Sequence, residues 1–168
     1  KIAIADDHKI FRDGIKMALT PKTDLKMIWE AEDGKDLIHK MAIKKPDLLL
    51  MDIRMPEIDG INAIEILRKE YDDLKIIVLS MYDDQQMISK MMEMGANAYL
   101  TKTTDPEEIY EAIITCMNED FYFNQLVNKA VMGKLMQKKN VRQYYGNNIP
   151  VCFSEKELKI LQLLGEDK

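Results

Sequence analysis

Residues 48–60 read Leu48-Leu49-Leu50-Met51-Asp52-Ile53-Arg54-Met55-Pro56-Glu57-Ile58-Asp59-Gly60, LLLMDIRMPEIDG. Four apolar residues end abruptly in an aspartate, and a short loop holding Pro56 and Gly60 follows. A short unbroken apolar run is what a strand buried on both faces looks like. Its last side chain, Asp52, is a carboxylate. Either it is a solvated strand end, or a reaction or a metal needs it there.

Outward from this stretch the chain alternates. Short apolar or β-branched runs at Ile2–Ala5, Leu25–Trp29, Leu48–Met51, Ile76–Leu79 and Ala98–Leu100 read as strands. Between them apolar residues recur three and four apart, the helical period. Phe11, Ile15, Ala18 and Leu19 form one stripe, and Leu37, Ile38, Met41 and Ala42 a second. Ile61, Ile64 and Leu67 form the third, Met87, Met91 and Met94 the fourth, and Ile109, Ala112, Ile113, Cys116 and Met117 the fifth. Asp105 and Pro106 have the residue types of an N-cap and a first helical position, and Gly95 suits the end of the fourth helix. Five βα units in residues 1–118 predict a parallel sheet with helices on both faces.

Beyond residue 118 the pattern changes. Residues 1–120 hold 16 Lys and Arg against 25 Asp and Glu, while residues 121–168 hold 8 against 4. A chain with a net charge of −5 is not a basic nucleic-acid binder as a whole, and the asymmetry points to modules with different partners. Gln125 to Lys139 predicts a sixth helix, with Val127, Val131 and Leu135 apolar and its lysines on a solvated linker face. Residues 140–152 have the composition of a linker. The stretch FSEKELKILQLLGEDK from Phe153 opens a further helix, with Ser154 and Glu157 as its capping box. The division is therefore 1–118, a basic helical linker at 119–152, and the beginning of another module at 153–168. Two distant cysteines, Cys116 and Cys152, read as reduced thiols of a cytoplasmic protein. No apolar run of roughly twenty residues is present to span a membrane. The opening KIAIADDH carries no signal peptide and no initiator Met, as expected of a piece cut from a longer protein.

In an open parallel sheet, reactive groups gather beyond the carboxyl ends of the strands. Asp6 and Asp7 follow the first run, Asp52 ends the third, Ser80 follows the fourth, and Thr101 and Lys102 follow the fifth. Glu30 ends the second, which a 2-1-3-4-5 order places at an edge, away from the rest. Any one of these is an ordinary polar strand end; all four positions together are not. Three crowded carboxylates repel one another unless a cation sits among them. Oxygen ligands select a hard ion, and so few carboxylates suit Mg2+ completed by water and a backbone carbonyl. His8 adjoins the pair, but no triad with Ser or Cys accompanies it, and a lone histidine there reads as a surface or helix-capping group. There is no phosphate-cradling GxxxxGK[ST] loop. A carboxylate beside Mg2+ and a lysine is suited to accepting a phosphoryl group: Asp52 as nucleophile, with Lys102 and Ser80 holding the remaining oxygens.

The acidic pair at 6–7, DIRMPEIDG at 52–60, VLSMYDD at 78–84 and GANAYLTK at 95–102 resemble the receiver domain of bacterial two-component response regulators. The likeness covers residues 1 to about 118. The stretch from Phe153 is similar to the first helix of the LuxR-type helix-turn-helix of NarL/FixJ regulators. The resemblance implies a flavodoxin-like, doubly wound α/β fold with a five-stranded parallel sheet in the order 2-1-3-4-5 and extra C-terminal helices. It implies that Asp52 accepts a phosphoryl group from a histidine kinase, that Asp7 binds Mg2+ directly and Asp6 largely through water, and that the backbone carbonyl of Arg54 is a further ligand. Lys102 would pair with the phosphoryl group, Ser80 would move to hydrogen-bond it, and Tyr99 would turn inward behind Ser80. The face of helix 4, strand 5 and helix 5 would then repack, driving homodimerisation and DNA binding by a C-terminal domain that is truncated here. Such a chain is a phosphoacceptor with slow self-dephosphorylation, not a turnover enzyme. Two positions depart from the family pattern. Thr103 stands where a proline with a cis bond is common, and a cis bond before threonine costs about 3 kcal/mol. Met81 stands where a small residue is common.

Two other readings stay open at this stage. A haloacid dehalogenase-type phosphatase also uses a strand-end Asp, Mg2+ and a Lys, but needs an acid two residues on, where Arg54 stands. A stand-alone receiver acting by protein contact is the other, and the stretch from Phe153 argues against it.

Overall fold

The computed structural model describes residues 1–145. Five strands and six helices follow one another as β1 (Ile2–Ala5), α1 (Lys9–Leu19), β2 (Met27–Ala31), α2 (Gly34–Ile43), β3 (Leu48–Asp52), α3 (Gly60–Glu70), β4 (Lys75–Ser80), α4 (Gln85–Glu93), β5 (Ala98–Thr101), α5 (Pro106–Glu119) and α6 (Gln125–Tyr145). The strands form one parallel sheet in the order β2-β1-β3-β4-β5. The predicted order and class are both found.

Alternation along the strands divides the core in two. Ile2, Ile4, Leu48, Leu50, Ile77 and Leu79 face α1 and α5, meeting Ile15, Leu19, Ile109 and Ile113. Ala3, Ala5, Leu49, Met51, Ile76 and Val78 face the other layer, meeting Leu37, Ile64, Leu67 and Met91. β1 and β3 are buried throughout, so both faces contribute about 1.5–3 kcal/mol for each large apolar side chain removed from water. Aspartates start the helices: Asp33, Asp59, Asp84 and Asp105 each accept a backbone N–H of the first turn, a cap worth about 1 kcal/mol. Gly95 adopts a left-handed φ of 104° and ends α4 as predicted. Among the described residues no helix is long and apolar enough to cross a membrane.

Four expectations are corrected. β2 begins at Met27 rather than Leu25, because pairing with Ile2 and Ala3 sets its register while Leu25 joins the α1–α5 core. Met117 is 43% exposed and lies off the buried α5 stripe of Ile109, Ala112, Ile113 and Cys116. α4 buries Ile88, Ser89, Met91 and Met92, while Met87 and Met94 are only half-buried. A wider face is covered than one stripe predicts, because α4 is packed between the sheet and α6. Finally, α6 continues through residues 140–145, which composition assigns to a linker. The helix predicted after Phe153 and the rest of the linker, with Cys152, lie outside the described residues.

α6 is docked on the domain. Val127 and Ala130 are buried, Ser89 Oγ donates to the Ala130 carbonyl at 3.1 Å, and Lys134 pairs with Glu93 at 2.5 Å. Asn124 Nδ2 donates to the carbonyl of Tyr99 at 3.0 Å, tying the start of α6 to β5.

Candidate functional site

The carboxyl edge of the sheet assembles the predicted polar residues. β1 ends at Ala5 and delivers Asp6 and Asp7, β3 ends in Asp52, β4 in Ser80, and Lys102 follows β5. The Lys102 amide donates to the Ser80 carbonyl at 2.7 Å. Its ammonium reaches back over the edge, 2.6 Å from Asp52 Oδ2 and 2.7 Å from Asp6 Oδ2, with the side chain only 5% exposed. It also lies 5.1 Å from the centre of the Phe11 ring.

Burial pushes the Asp52 carboxyl above its usual range; the hydrogen bond from Lys102 and the Arg54 amide pull it back without cancelling the rise, and Asp6 adds to it. For Lys102, burial pulls down, but the hydrogen bond to Asp52 and the close pairing with Asp6 outweigh it and the ammonium is held above its usual range. Two buried carboxylates thus share one buried ammonium, and Asp7 stands beside them, 32% exposed on its side chain. Negative charge is in excess.

The site fits a cation. Ligand atoms of Asp6, Asp7, His8 and Asp52 lie within 4.8 Å of one another. Asp6 Oδ2 is buried and accepts no hydrogen bond, the Lys102 ammonium lying near it outside hydrogen-bonding geometry. A carboxylate oxygen so placed is a ready ligand for a hard ion. His8 is exposed, as a surface group is, but its Nδ1 sits 2.6 Å from Asp7 Oδ1 and its amide donates to Asp6 Oδ1 at 2.8 Å.

The loop after Asp52 is folded tightly over the edge. Asp52 Oδ1 accepts the Arg54 amide at 3.2 Å, Gly60 donates to the Ile53 carbonyl at 2.8 Å, and Glu57 takes a left-handed φ of 64°. The Arg54 guanidinium lies over the Tyr82 ring, 4.3 Å from its centre. Tyr82 connects the next two residues: its amide donates to Ser80 Oγ at 3.2 Å and its carbonyl accepts Tyr99 Oη at 2.8 Å. Ser80 is buried, and so is Tyr99 already, whereas the resemblance leads one to expect an inward turn on switching. No peptide bond among the described residues is cis, including Lys102–Thr103. Met81 is 65% exposed.

Residues 2–114 match the family described as the response regulator receiver domain. The chain belongs to that family. This receiver is 30% identical over 166 residues to the response regulator protein VraR of Staphylococcus saprophyticus, covering 99% of this chain and 76% of that protein. It is 35% identical to the transcriptional regulatory protein DegU of Brevibacillus brevis, covering 99% and 75%. Among solved structures, it resembles the receiver domain of RcsB from Salmonella enterica serovar Typhimurium, solved in the presence of the phosphomimetic BeF3−, with a TM-score of 0.71 and 25% identity over 77% of this chain and 96% of that one. The relatives of this receiver are regulators of the NarL/LuxR type, signalling proteins rather than turnover enzymes.

Sequence reading missed three residues around the receiver's acidic edge. Tyr82 and Phe11 carry no signal beyond being aromatic near a motif. Arg12 does: it shares the buried face of α1 with Ile15 and Leu19, and a cation on an apolar stripe is unusual. Through Arg12, Glu30 on the edge strand is tied to Asp6, not isolated from it as expected.

Proposed function

We propose that this receiver accepts a phosphoryl group on Asp52 from a sensor histidine kinase and uses it to control DNA binding and transcription by a C-terminal domain. Asp6, Asp7 and Asp52, with the backbone carbonyl of Arg54, would hold Mg2+. When bound, the ion neutralises phosphoryl oxygens and so lowers the repulsion against the incoming anion. An Asp52 carboxylate oxygen forms the new O–P bond as the P–N bond to the kinase histidine breaks, and the released imidazole regains a proton. Lys102 exchanges part of its pairing with Asp52 and Asp6 for a phosphoryl oxygen, and Ser80 Oγ leaves the Tyr82 amide to donate to another.

The observation that carries this reading is the Lys102 ammonium shared between two buried carboxylates from different strands. It already holds a cation where a phosphoryl oxygen would arrive. The kinase would dock beside it, on the apolar groove lined by Ile10, Phe11, Met81 and Thr103, in which Ile10 is 89% exposed.

The signal would leave through Ser80, Tyr82 and Tyr99. Tyr99 meets α6 through its own carbonyl and Asn124, and α6 leads toward the region that resembles a helix-turn-helix. DNA binding and homodimerisation on phosphorylation would follow, as the name of the DegU relative suggests for transcription. Arg54, two residues beyond Asp52 and stacked on Tyr82, offers no proton donor for a phosphatase.

Mass spectrometry after incubation with acetyl phosphate and Mg2+, coupled to sizing, tests acceptor and assembly together. Wild type is expected to gain one phosphoryl group and Asp52→Asn none. Undiminished labelling of Asp52→Asn would move the acceptor elsewhere.

A further inference from the structure

We propose that Arg12 is a positioning residue for the metal-holding end of β1, acting through the main-chain carbonyl of Asp6; this rests on the reading of the acidic pair as metal ligands. Arg12 lies in the first turn of α1 and is 8% exposed, on the face that carries Ile15 and Leu19. Its Nη1 donates to the Asp6 carbonyl at 2.5 Å. Its Nε donates to Glu30 Oε2 on β2 at 3.1 Å. The other Glu30 oxygen accepts Lys16 Nζ at 2.6 Å, and the Glu30 carbonyl accepts Lys40 Nζ at 2.6 Å. Glu30 is thereby a fixed anchor and not a mobile surface acid.

Every polar atom of Asp6 but one is hydrogen-bonded. Its amide donates to the Ala31 carbonyl at 3.0 Å, its carbonyl is held by Arg12, and its Oδ1 accepts the His8 amide. Oδ2 alone accepts no hydrogen bond and lies 2.7 Å from the Lys102 ammonium, on the side of the acidic cluster. β2 therefore fixes the main chain of Asp6 twice, once directly and once through Arg12 and Glu30, and the oxygen left over is presented into the site.

Packing does not account for an arginine here. Desolvating a guanidinium is costly, and an apolar side chain on this stripe would pack at less cost. Geometry does account for it. A planar fork can grip a carbonyl and a carboxylate in two directions at once, which a lysine ammonium on a flexible stem does poorly. Groups that orient metal ligands without touching the metal commonly govern its affinity.

The test uses the 168-residue chain as wild type, Arg12→Lys and Glu30→Gln. Mn2+ binding is followed by loss of the free-ion paramagnetic resonance signal, with metal-free thermal unfolding in parallel. Arg12→Lys is expected to bind Mn2+ about 10-fold more weakly, the lower end for such supporting residues. Its rate of phosphoryl uptake from acetyl phosphate should return to the wild-type value at saturating metal, so that the loss lies in metal affinity alone. Glu30→Gln keeps an acceptor for Arg12 but not its charge, and should show a smaller loss in the same direction. Wild-type Mn2+ affinity in Arg12→Lys, with only a lower unfolding temperature, overturns the proposal. If Arg12→Lys does not fold, unchanged affinity in Glu30→Gln overturns it. A wild-type chain that takes up no Mn2+ overturns instead the reading of the acidic pair on which the proposal rests, and does so before any substitution is made.

Discussion

Lys102 Nζ donates to Asp52 Oδ2 across 2.6 Å, although fifty residues separate the two in sequence. Removing this cation leaves Asp6 and Asp52 buried together without their counter-ion. Lys102→Met is expected to lower phosphoryl uptake by about 100-fold, the usual loss for one preorganised donor at a developing anion. Mg2+ binding should persist, since the carboxylates remain. Mass spectrometry for uptake and calorimetry for the metal would separate the two, and uptake at the wild-type rate would take Lys102 out of the chemistry.

Asp52 should make stability depend on pH. Burial sets its folded pKa above the ordinary 3.8, with Lys102 opposing only in part. The folded chain therefore binds more protons than the unfolded chain between those two values. The stability from Asp52 is fully present below about 3.8 and is lost as pH rises through the folded value. Asp52→Asn escapes that loss. Its thermal midpoint should exceed that of wild type near neutral pH, by about 4 °C for each kcal/mol relieved, and the gap should close on acidification. A midpoint below wild type at neutral pH would mean that the ion pair to Lys102 outweighs the burial.

Gly60 has no room for a side chain. A Cβ there would meet the Asp52 carbonyl oxygen at 2.6 Å and Ile53 Cα at 2.7 Å, both backbone atoms that cannot swing away. Gly60→Ala is expected to cost about 1–3 kcal/mol, as other overpacked sites do. Gly14 is the control: nothing lies within 4 Å of its would-be Cβ, and in mid-helix the change to Ala should stabilise by about 0.5–1 kcal/mol. Urea unfolding measures both, and equal effects of the two substitutions would contradict the crowding argument.

The contact of α6 with α4 should respond to the phosphoryl site. With Mg2+ and beryllofluoride, amide hydrogen exchange across residues 125–136 is expected to quicken in wild type and not in Asp52→Asn. Lys134→Glu turns the pair with Glu93 into a repulsion. An exposed pair contributes at most about 1 kcal/mol, so exchange should rise up to about fivefold without any phosphomimetic. Exchange unaltered by beryllofluoride would disconnect α6 from Asp52.

The parts of the site legible in sequence were those whose signal is local. Asp6, Asp7, Asp52, Ser80 and Lys102 each stand where an apolar run stops, and a parallel sheet sends all such ends to one edge. Tyr82 was not legible, because it acts through its own main-chain amide and carbonyl; Arg12 stood out as a cation on an apolar stripe, but its partners, the Asp6 carbonyl and Glu30, did not. The carbonyl of Asp6 and the amide and carbonyl of Tyr82 carry no residue-type signature. The buried face of α4 was misread for a related reason. A helical stripe shows the side that meets the sheet, not that a later helix covers a second side.

By itself the sequence determined the strand and helix periods, the caps at Asp105 and Gly95, and the charges that end the strands, while the strand order came only with the family resemblance. Hydrophobic alternation and turn chemistry act over a few residues and can be read there. Only the tertiary structure decided that Lys102 is shared between Asp6 and Asp52, that Tyr99 already lies inward, and that α6 lies against α4. These depend on how far each strand extends before its last side chain clears the sheet, and on which faces remain uncovered once the sheet has closed. Burial and distance between remote segments are properties of the packed chain alone.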